Sequence, residues 1–229
     1  MYEDFYRTGI KKIKFKSEKL DKVLKEIYEG KIREGYFLKT KYPKTYDMRP
    51  DVISYDKVFL EVLNDNNILN IIRSETLRDL KLSHIQVRVV EDENSYMNWH
   101  RDTYYNNVGN LIGQAPSGIK IIYYPDFTNT KSDRLLYLKG SNRIIFPSNA
   151  YDSQLFNILK VEKISSSNEE AILFDTSGLH AVVPEAPGKK SIRLIYSFLE
   201  KEQIDAISSD PENIHKKTMS LYDINVNVS

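Results

Sequence analysis

The segment Met97 to Tyr105 reads MNWHRDTYY, and two of its residue types are common metal ligands. His100 and Asp102 are separated by a single residue. On an extended strand, residues i and i+2 point to the same face, so an imidazole nitrogen and a carboxylate oxygen approach one point. Two ligands hold a divalent ion poorly, and a third is expected from elsewhere in the chain. His180, in FDTSGLHAVVP, is the candidate. Gly178 lets the backbone turn just before it, and Ala181-Val182-Val183 reads as the start of a strand. Two histidines and one carboxylate on one face, with the opposite positions open, form the facial triad of non-haem Fe(II) oxygenases. Such an iron needs its open sites for a chelating cosubstrate and for O2.

A fourth residue fits the same chemistry. Arg193 follows His180 by 13 positions, in SIRLIYSFL. There Ile192, Leu194, Tyr196 and Phe198 share one face of a strand, and Arg193, Ile195 and Ser197 share the other. A guanidinium pointing into what would otherwise be a core face needs an anionic partner. Its planar fork pairs with a carboxylate through two parallel hydrogen bonds. The far carboxylate of 2-oxoglutarate is such a partner, and Ser197 adds a hydroxyl to the same face. Each residue alone has an ordinary reading: H-x-D arises in many chains, His180 as a satisfied loop histidine, Arg193 as a surface ion pair. Trp99, Tyr104 and Tyr105 read as core or rim packing. The order H-x-D, then Gly-x-His, then Arg on the next strand carries the assignment.

These residues need a β scaffold, and the hydrophobic pattern supplies one. SHIQVRVV, from Ser83, alternates with period two and is rich in β-branched residues. SGIKIIYYPD, RLLYLKG, EAILFDT and KSIRLIYSFL are further strand candidates, separated by loops of Gly, Pro, Asn, Ser and Asp. Upstream, Ile10, Ile13 and Phe15 alternate with lysines as a short strand. Ser17 caps a helix carrying Leu20, Val23, Leu24, Ile27 and Tyr28 at helical spacing, ended by Gly30. Residues 36–53 read as an irregular connector, and helical patterns resume from Ser54. The plan is one domain over 1–229: a helical N-terminal part to about residue 81, a β core over 82–200, and a helical tail over 201–229. Several short strands with long loops predict a barrel or a jelly roll.

Bulk composition removes other classes. The 33 basic and 32 acidic residues leave a net charge of +1, without the basic excess of a nucleic-acid-binding protein. Cysteine is absent, which rules out disulfides, thiolate metal sites and a cysteine nucleophile and fits the cytoplasm. No apolar stretch approaches a membrane span or a secretory signal.

Over about residues 80–200 the sequence resembles the phytanoyl-CoA dioxygenase family of Fe(II)/2-oxoglutarate oxygenases. The residues that carry the resemblance are WHRD (Trp99 to Asp102), YLKGSNR (Tyr137 to Arg143) and LFDTSGLHAVVPEAPGKKSIRLIYS (Leu173 to Ser197). The resemblance implies a double-stranded β-helix, or jelly roll, mainly β with flanking helices. It implies His100, Asp102 and His180 as iron ligands and Arg193 as the 2-oxoglutarate anchor. The implied reaction oxidises a C–H bond of a small molecule, with O2 consumed and succinate and CO2 released. The chain departs from the family pattern at Lys139 and Asn142, where Pro and His are usual, and at Glu185, where Asn often follows the proline. Some relatives lack the carboxylate and bind halide in its place; with Asp102 present, hydroxylation is the expected chemistry.

For the substrate, Trp99, Arg101, Tyr104, Lys120 and Arg143 are candidate contacts. Arg101, Lys120 and Arg143 would make a cationic mouth if they converge, favouring a small anionic metabolite; otherwise they are solvated charges. His84 and His215 read as structural or solvated. The rival reading is a cupin-like isomerase or sensor, which needs the triad but not Arg193. A scaffold protein that keeps only the fold needs neither.

Overall fold

The computed structural model describes residues 5–30, 37–40, 44–48, 52–65, 67–76, 80–91, 97–102, 118–125, 127, 135–144, 149–165, 169–182 and 190–200. Tyr104, Tyr105, His215 and the expected C-terminal helices lie outside these residues. The helices are α1 (Phe5–Thr8), α2 (Glu18–Tyr28), α3 (Val52–Tyr55), α4 (Val58–Asp65) and α5 (Ile68–Thr76). The strands are β1 (Ile10–Lys14), β2 (Phe37–Lys39), β3 (Thr45–Met48), β4 (Leu80–Val90), β5 (Ile119–Tyr123), β6 (Leu135–Leu138), β7 (Val161–Ile164), β8 (Glu170–Asp175), β9 (His180–Val182) and β10 (Ser191–Glu200). Two 3-10 turns, Ser141–Arg143 and Asn149–Asn157, separate β6 from β7.

The strands form two antiparallel sheets. The larger has seven strands in the order β1-β8-β5-β10-β4-β3-β2, the smaller three in the order β7-β6-β9. From β1 through β8, β5 and β10 to β4, and from β6 to β9, neighbouring strands are distant in sequence, as in a jelly roll. This is a double-stranded β-helix, mainly β with helices packed outside.

Strand periodicity sorts the large sheet into two faces. Phe15, Ile85, Val87, Val89, Ile121, Tyr123, Leu194 and Tyr196 belong to a buried cluster with Leu20, Leu24 and Ile27 of α2, Phe59, Val62 and Leu63 of α4, and Ile68 and Ile72 of α5. Ser17 caps α2 by accepting a hydrogen bond from the Leu20 amide, and Asp56 accepts from the Val58 amide at the start of α4. The opposite face joins Ile10, Ile122, Tyr124, Ile172, Phe174 and Ile195 to Leu135, Tyr137 and Ile164 of the small sheet, closing the barrel. Nine of the ten β10 residues are buried because both of its faces are covered.

Two expectations change. The connector expected at residues 36–53 contains β2 and β3, which extend the large sheet past β4. Tertiary pairing decides this: Asp47 of β3 holds Arg88 of β4 through Oδ1 to Nε at 2.7 Å and Oδ2 to Nη2 at 2.9 Å. The N-terminal part therefore contributes β1, β2 and β3 to the sheet as well as helices. No described helix is long and apolar enough to cross a membrane.

Candidate metal centre

His100 and Asp102 lie on an extended segment that adds itself to the edge of β9. His100 and His180 exchange backbone hydrogen bonds, at 2.9 and 3.0 Å. The Asp102 amide donates to the Thr176 carbonyl at 3.0 Å, and the Val182 amide to the Met97 carbonyl at 3.3 Å. Alternation then aims His100 and Asp102 into the barrel and Trp99 and Arg101 away from it. The ligating atoms of His100, Asp102 and His180 all lie within 4.8 Å of one another. His100 Nε2 is 3.4 Å from Asp102 Oδ1, and His180 Nε2 is 3.4 Å from Asp102 Oδ2.

Neighbours orient the two imidazoles and keep the carboxylate charged. His100 Nδ1 lies 2.7 Å from the Asn98 carbonyl oxygen, and His180 Nδ1 lies 3.0 Å from that of Gly178. A carbonyl only accepts, so each Nδ1 carries a proton and each Nε2 faces the shared point. His100 Nε2 makes no hydrogen bond there. Burial alone would push the Asp102 carboxyl up, but the Lys120 ammonium, His180 and His100 outweigh it and hold it well below the usual carboxylate range. Two imidazoles and one carboxylate converging on one point suit a divalent transition metal.

The turn before His180 is shaped by contacts. Asp175 Oδ1 accepts from the Ser177 amide and hydroxyl, and the Asp175 carbonyl accepts from the Gly178 amide. The buried Tyr137 hydroxyl donates to the same carbonyl at 3.0 Å. A Cβ on Gly178 would stand 1.8 Å from the Tyr137 hydroxyl oxygen, so only glycine fits. Burial and the Asp175 charge push the Tyr137 phenol well up despite Arg101. Ser141, in the YLKGSNR block, accepts from the Leu179 amide through Oγ at 2.8 Å and from Arg101 through its carbonyl. That block's serine thus braces both ligand segments.

Across the barrel, Ser197 of β10 aligns with Lys120 of β5 and His84 of β4, and Lys120 aligns with Phe174 of β8. Lys120 Nζ lies 2.7 Å from Asp102 Oδ2, which puts this row beside the triad. The Phe174 ring is 5.0 Å from that of His180. Ser197 Oγ is buried and makes no hydrogen bond, and the same holds for Gln86 Nε2, one row along the same face. Arg193 shares that face, is 3% exposed, and sits in register with Arg88. Asp47 holds Arg88 on both carboxylate oxygens, so Arg193 and Arg88 stand side by side in register at this end of the barrel.

Other predicted contacts fall elsewhere. Arg101 is buried away from the cavity, in a bidentate pair with Asp152 and on the carbonyls of Ser141, Ile144 and Ser177. Trp99 packs with Leu138, Leu155 and Leu179 and stands edge-on to Phe156, rings 4.8 Å apart. Arg143 is exposed and lies over the Tyr6 ring, 5.6 Å from its centroid. The three cations therefore do not converge, because odd positions of the 97–102 segment face away from the barrel and Arg143 belongs to an outer turn. Only Lys120 reaches the triad. His84, read as structural or solvated, is buried opposite Ser197, with Nδ1 3.0 Å from Ser83 Oγ. Asp152, Gln86 and Phe174 had no sequence signal beyond their place in the β region.

Solved structures share this architecture. HygX from Streptomyces hygroscopicus, with nickel, 2-oxoglutarate and hygromycin B bound, aligns at a TM-score of 0.63 and 14% identity, over 86% of this chain and 85% of its own. EctD from S. alaskensis with bound Fe aligns at 0.63 and 12%, over 87% and 75%. SnoN, a non-haem 2-oxoglutarate-dependent epimerase from nogalamycin biosynthesis, aligns at 0.66 and 8%, over 86% and 80%. The chain has the fold of the iron- and 2-oxoglutarate-dependent oxygenases. No family model and no curated protein matches it in sequence. Within this jelly roll the triad occupies the barrel interior, between the small sheet that supplies His180 and the large sheet that supplies Lys120 and Arg193.

Proposed function

We propose that the protein is an Fe(II)- and 2-oxoglutarate-dependent dioxygenase that oxidises, by hydroxylation, a C–H bond of a small molecule. One observation carries this reading: two imidazole Nε2 atoms and the Asp102 carboxylate converge within 4.8 Å, with both Nδ1 protons tied to carbonyl oxygens. The donor set fits iron, and the buried Ser197 hydroxyl, which makes no hydrogen bond, fits a polar cosubstrate lying along the barrel. When bound, iron and 2-oxoglutarate with O2 supply the oxidising power, with succinate and CO2 as co-products.

The chain's own residues supply placement. His100, Asp102 and His180 would hold the metal. Arg193 would take the far carboxylate of 2-oxoglutarate, and Ser197 would donate from the same strand face. Ile122, Ile172, Phe174 and Ile195 line the same face and exclude water from the site. Asp102 fills the position a halide would need, which supports hydroxylation over halogenation. The small-molecule substrate is supported by the fold: HygX holds hygromycin B together with 2-oxoglutarate. An anionic substrate loses the support of Arg101 and Arg143, which the fold uses elsewhere.

The test is succinate and CO2 production by protein loaded anaerobically with Fe(II) and 2-oxoglutarate, then exposed to O2. Slow turnover without a substrate is expected, rising when candidate small molecules are added and absent in Asp102→Ala. A wild type that binds iron but releases no succinate under any substrate would instead be a metal-binding isomerase or sensor.

A further inference from the structure

Lys120 has a place in the barrel that the reaction above does not use. It is on β5, its side chain is 15% exposed, and strand register points it into the barrel. Its Nζ lies 2.7 Å from Asp102 Oδ2, the oxygen that also faces His180 Nε2 at 3.4 Å. A divalent cation held by the triad must share this carboxylate with an ammonium. Without the cation, Lys120 offsets the charge of Asp102. With it, the centre carries two positive charges from the metal, one from Lys120 and one negative charge from Asp102. The ammonium therefore opposes metal entry, and the loaded centre favours anions.

We propose that Lys120 is the counter-ion of Asp102 in the metal-free centre and, once a divalent cation takes that carboxylate, the seat for the carboxylate of a 2-oxo acid bound on the same cation. This rests on the metal-centre reading above. It gives Lys120 and Arg193 the two ends of one ligand. Arg193 lies four residues from Ser197 along β10, and Ser197 is level with Lys120. The span between those rows is about 13 Å of strand, which long side chains reaching inward from both rows shorten. Lys120 thus lowers metal affinity and raises keto-acid affinity, and the two effects have opposite signs. A lysine that merely packed the barrel would, on removal, weaken both.

The experiment uses the full chain with Mn(II) as the metal and two keto acids as probes, 2-oxoglutarate and pyruvate. Pyruvate lacks the far carboxylate, so it reports only the end near the metal. Removing a neighbouring charge shifts an ionic equilibrium by about tenfold or more. Lys120→Met should bind Mn(II) about tenfold or more tightly than wild type, and its Mn(II) form should bind both keto acids about tenfold or more weakly. Lys120→Arg keeps the charge and should restore keto-acid binding, which guards against a folding artefact in the methionine variant. Arg193→Met should weaken 2-oxoglutarate and leave pyruvate as it was. Mn(II) binding no tighter in Lys120→Met, or both keto acids binding it as they bind wild type, overturns the proposal. A wild type that takes up no divalent metal defeats the metal-centre reading itself, an outcome separate from the other two.

Discussion

Arg101 and Asp152 form a buried bidentate pair, with Nη2 2.9 Å from Oδ1 and Nε 3.1 Å from Oδ2. The arginine stands between two metal-ligand candidates, and its remaining donors reach the carbonyls of Ser141, Ile144 and Ser177. One guanidinium thus fixes the His100–Asp102 segment to the turns around Ser141 and Ser177 and to the 3-10 segment at Asp152. Removing one partner of a buried pair leaves the other charge uncompensated, at a cost of about 3–5 kcal/mol. Arg101→Met should therefore lower the melting temperature by roughly 10 °C, taking about 2–4 °C per kcal/mol for a chain of this size. Metal affinity should fall with it, though less than in a ligand variant. A melting temperature within a degree or two of wild type would show that the pair is not structural.

Gly178 offers a second test. An added Cβ there meets the Tyr137 hydroxyl, and Tyr137 is fully buried. Gly178→Ala should destabilise by about 1–3 kcal/mol, the usual cost of overpacking, and should displace His180, two residues on. In Gly178→Ala/Tyr137→Ala the total loss should be smaller than the sum of the single losses, since one clash is removed. Thermal unfolding of the three variants measures this; strict additivity would mean that the two positions do not collide.

The ligand candidates were legible because their geometry is local or chemical. Period two puts His100 and Asp102 on one face of any strand, and His180, after a glycine turn and before a strand start, was the candidate for the third ligand. The β core was legible for the same reason: its strands alternate or are continuously apolar. What stayed hidden depends on partners far away in sequence. Arg101 read as a mouth cation because nothing marks Asp152, 51 positions on in a segment without periodicity, as its partner. β2 and β3 were hidden among prolines and tyrosines because pairing with β4, not propensity, makes them strands. The alternation of β5 put Lys120 on one face, but only the closed barrel shows that this face meets Asp102.

The triad itself is tested by deletion. His100→Ala, Asp102→Ala and His180→Ala should each abolish tight Fe(II) binding, because three ligands are the fewest that hold the ion with open sites opposite. His84→Gln should retain it: His84 lies in the same barrel but outside the group of converging atoms. Metal titration of these four variants decides the assignment. Full affinity in Asp102→Ala, or loss of iron in His84→Gln, would move the centre.

Arg193 separates an oxygenase from a metal-binding jelly roll without oxygen chemistry. It is buried on the barrel face, four residues from Ser197 on β10 and in register with Arg88. A planar guanidinium pairs with a carboxylate through two parallel hydrogen bonds, and the proposed anion is the far carboxylate of 2-oxoglutarate. Truncating one side of such a pair costs about 2–5 kcal/mol. Arg193→Ala should then weaken 2-oxoglutarate by roughly 30-fold or more, while metal affinity changes little, since the triad stands on the other sheet and its connecting segment. Calorimetric titration of 2-oxoglutarate into metal-loaded protein reads the effect directly. An unchanged affinity would mean that Arg193 serves the barrel alone and that the oxygenase assignment has lost its cosubstrate anchor.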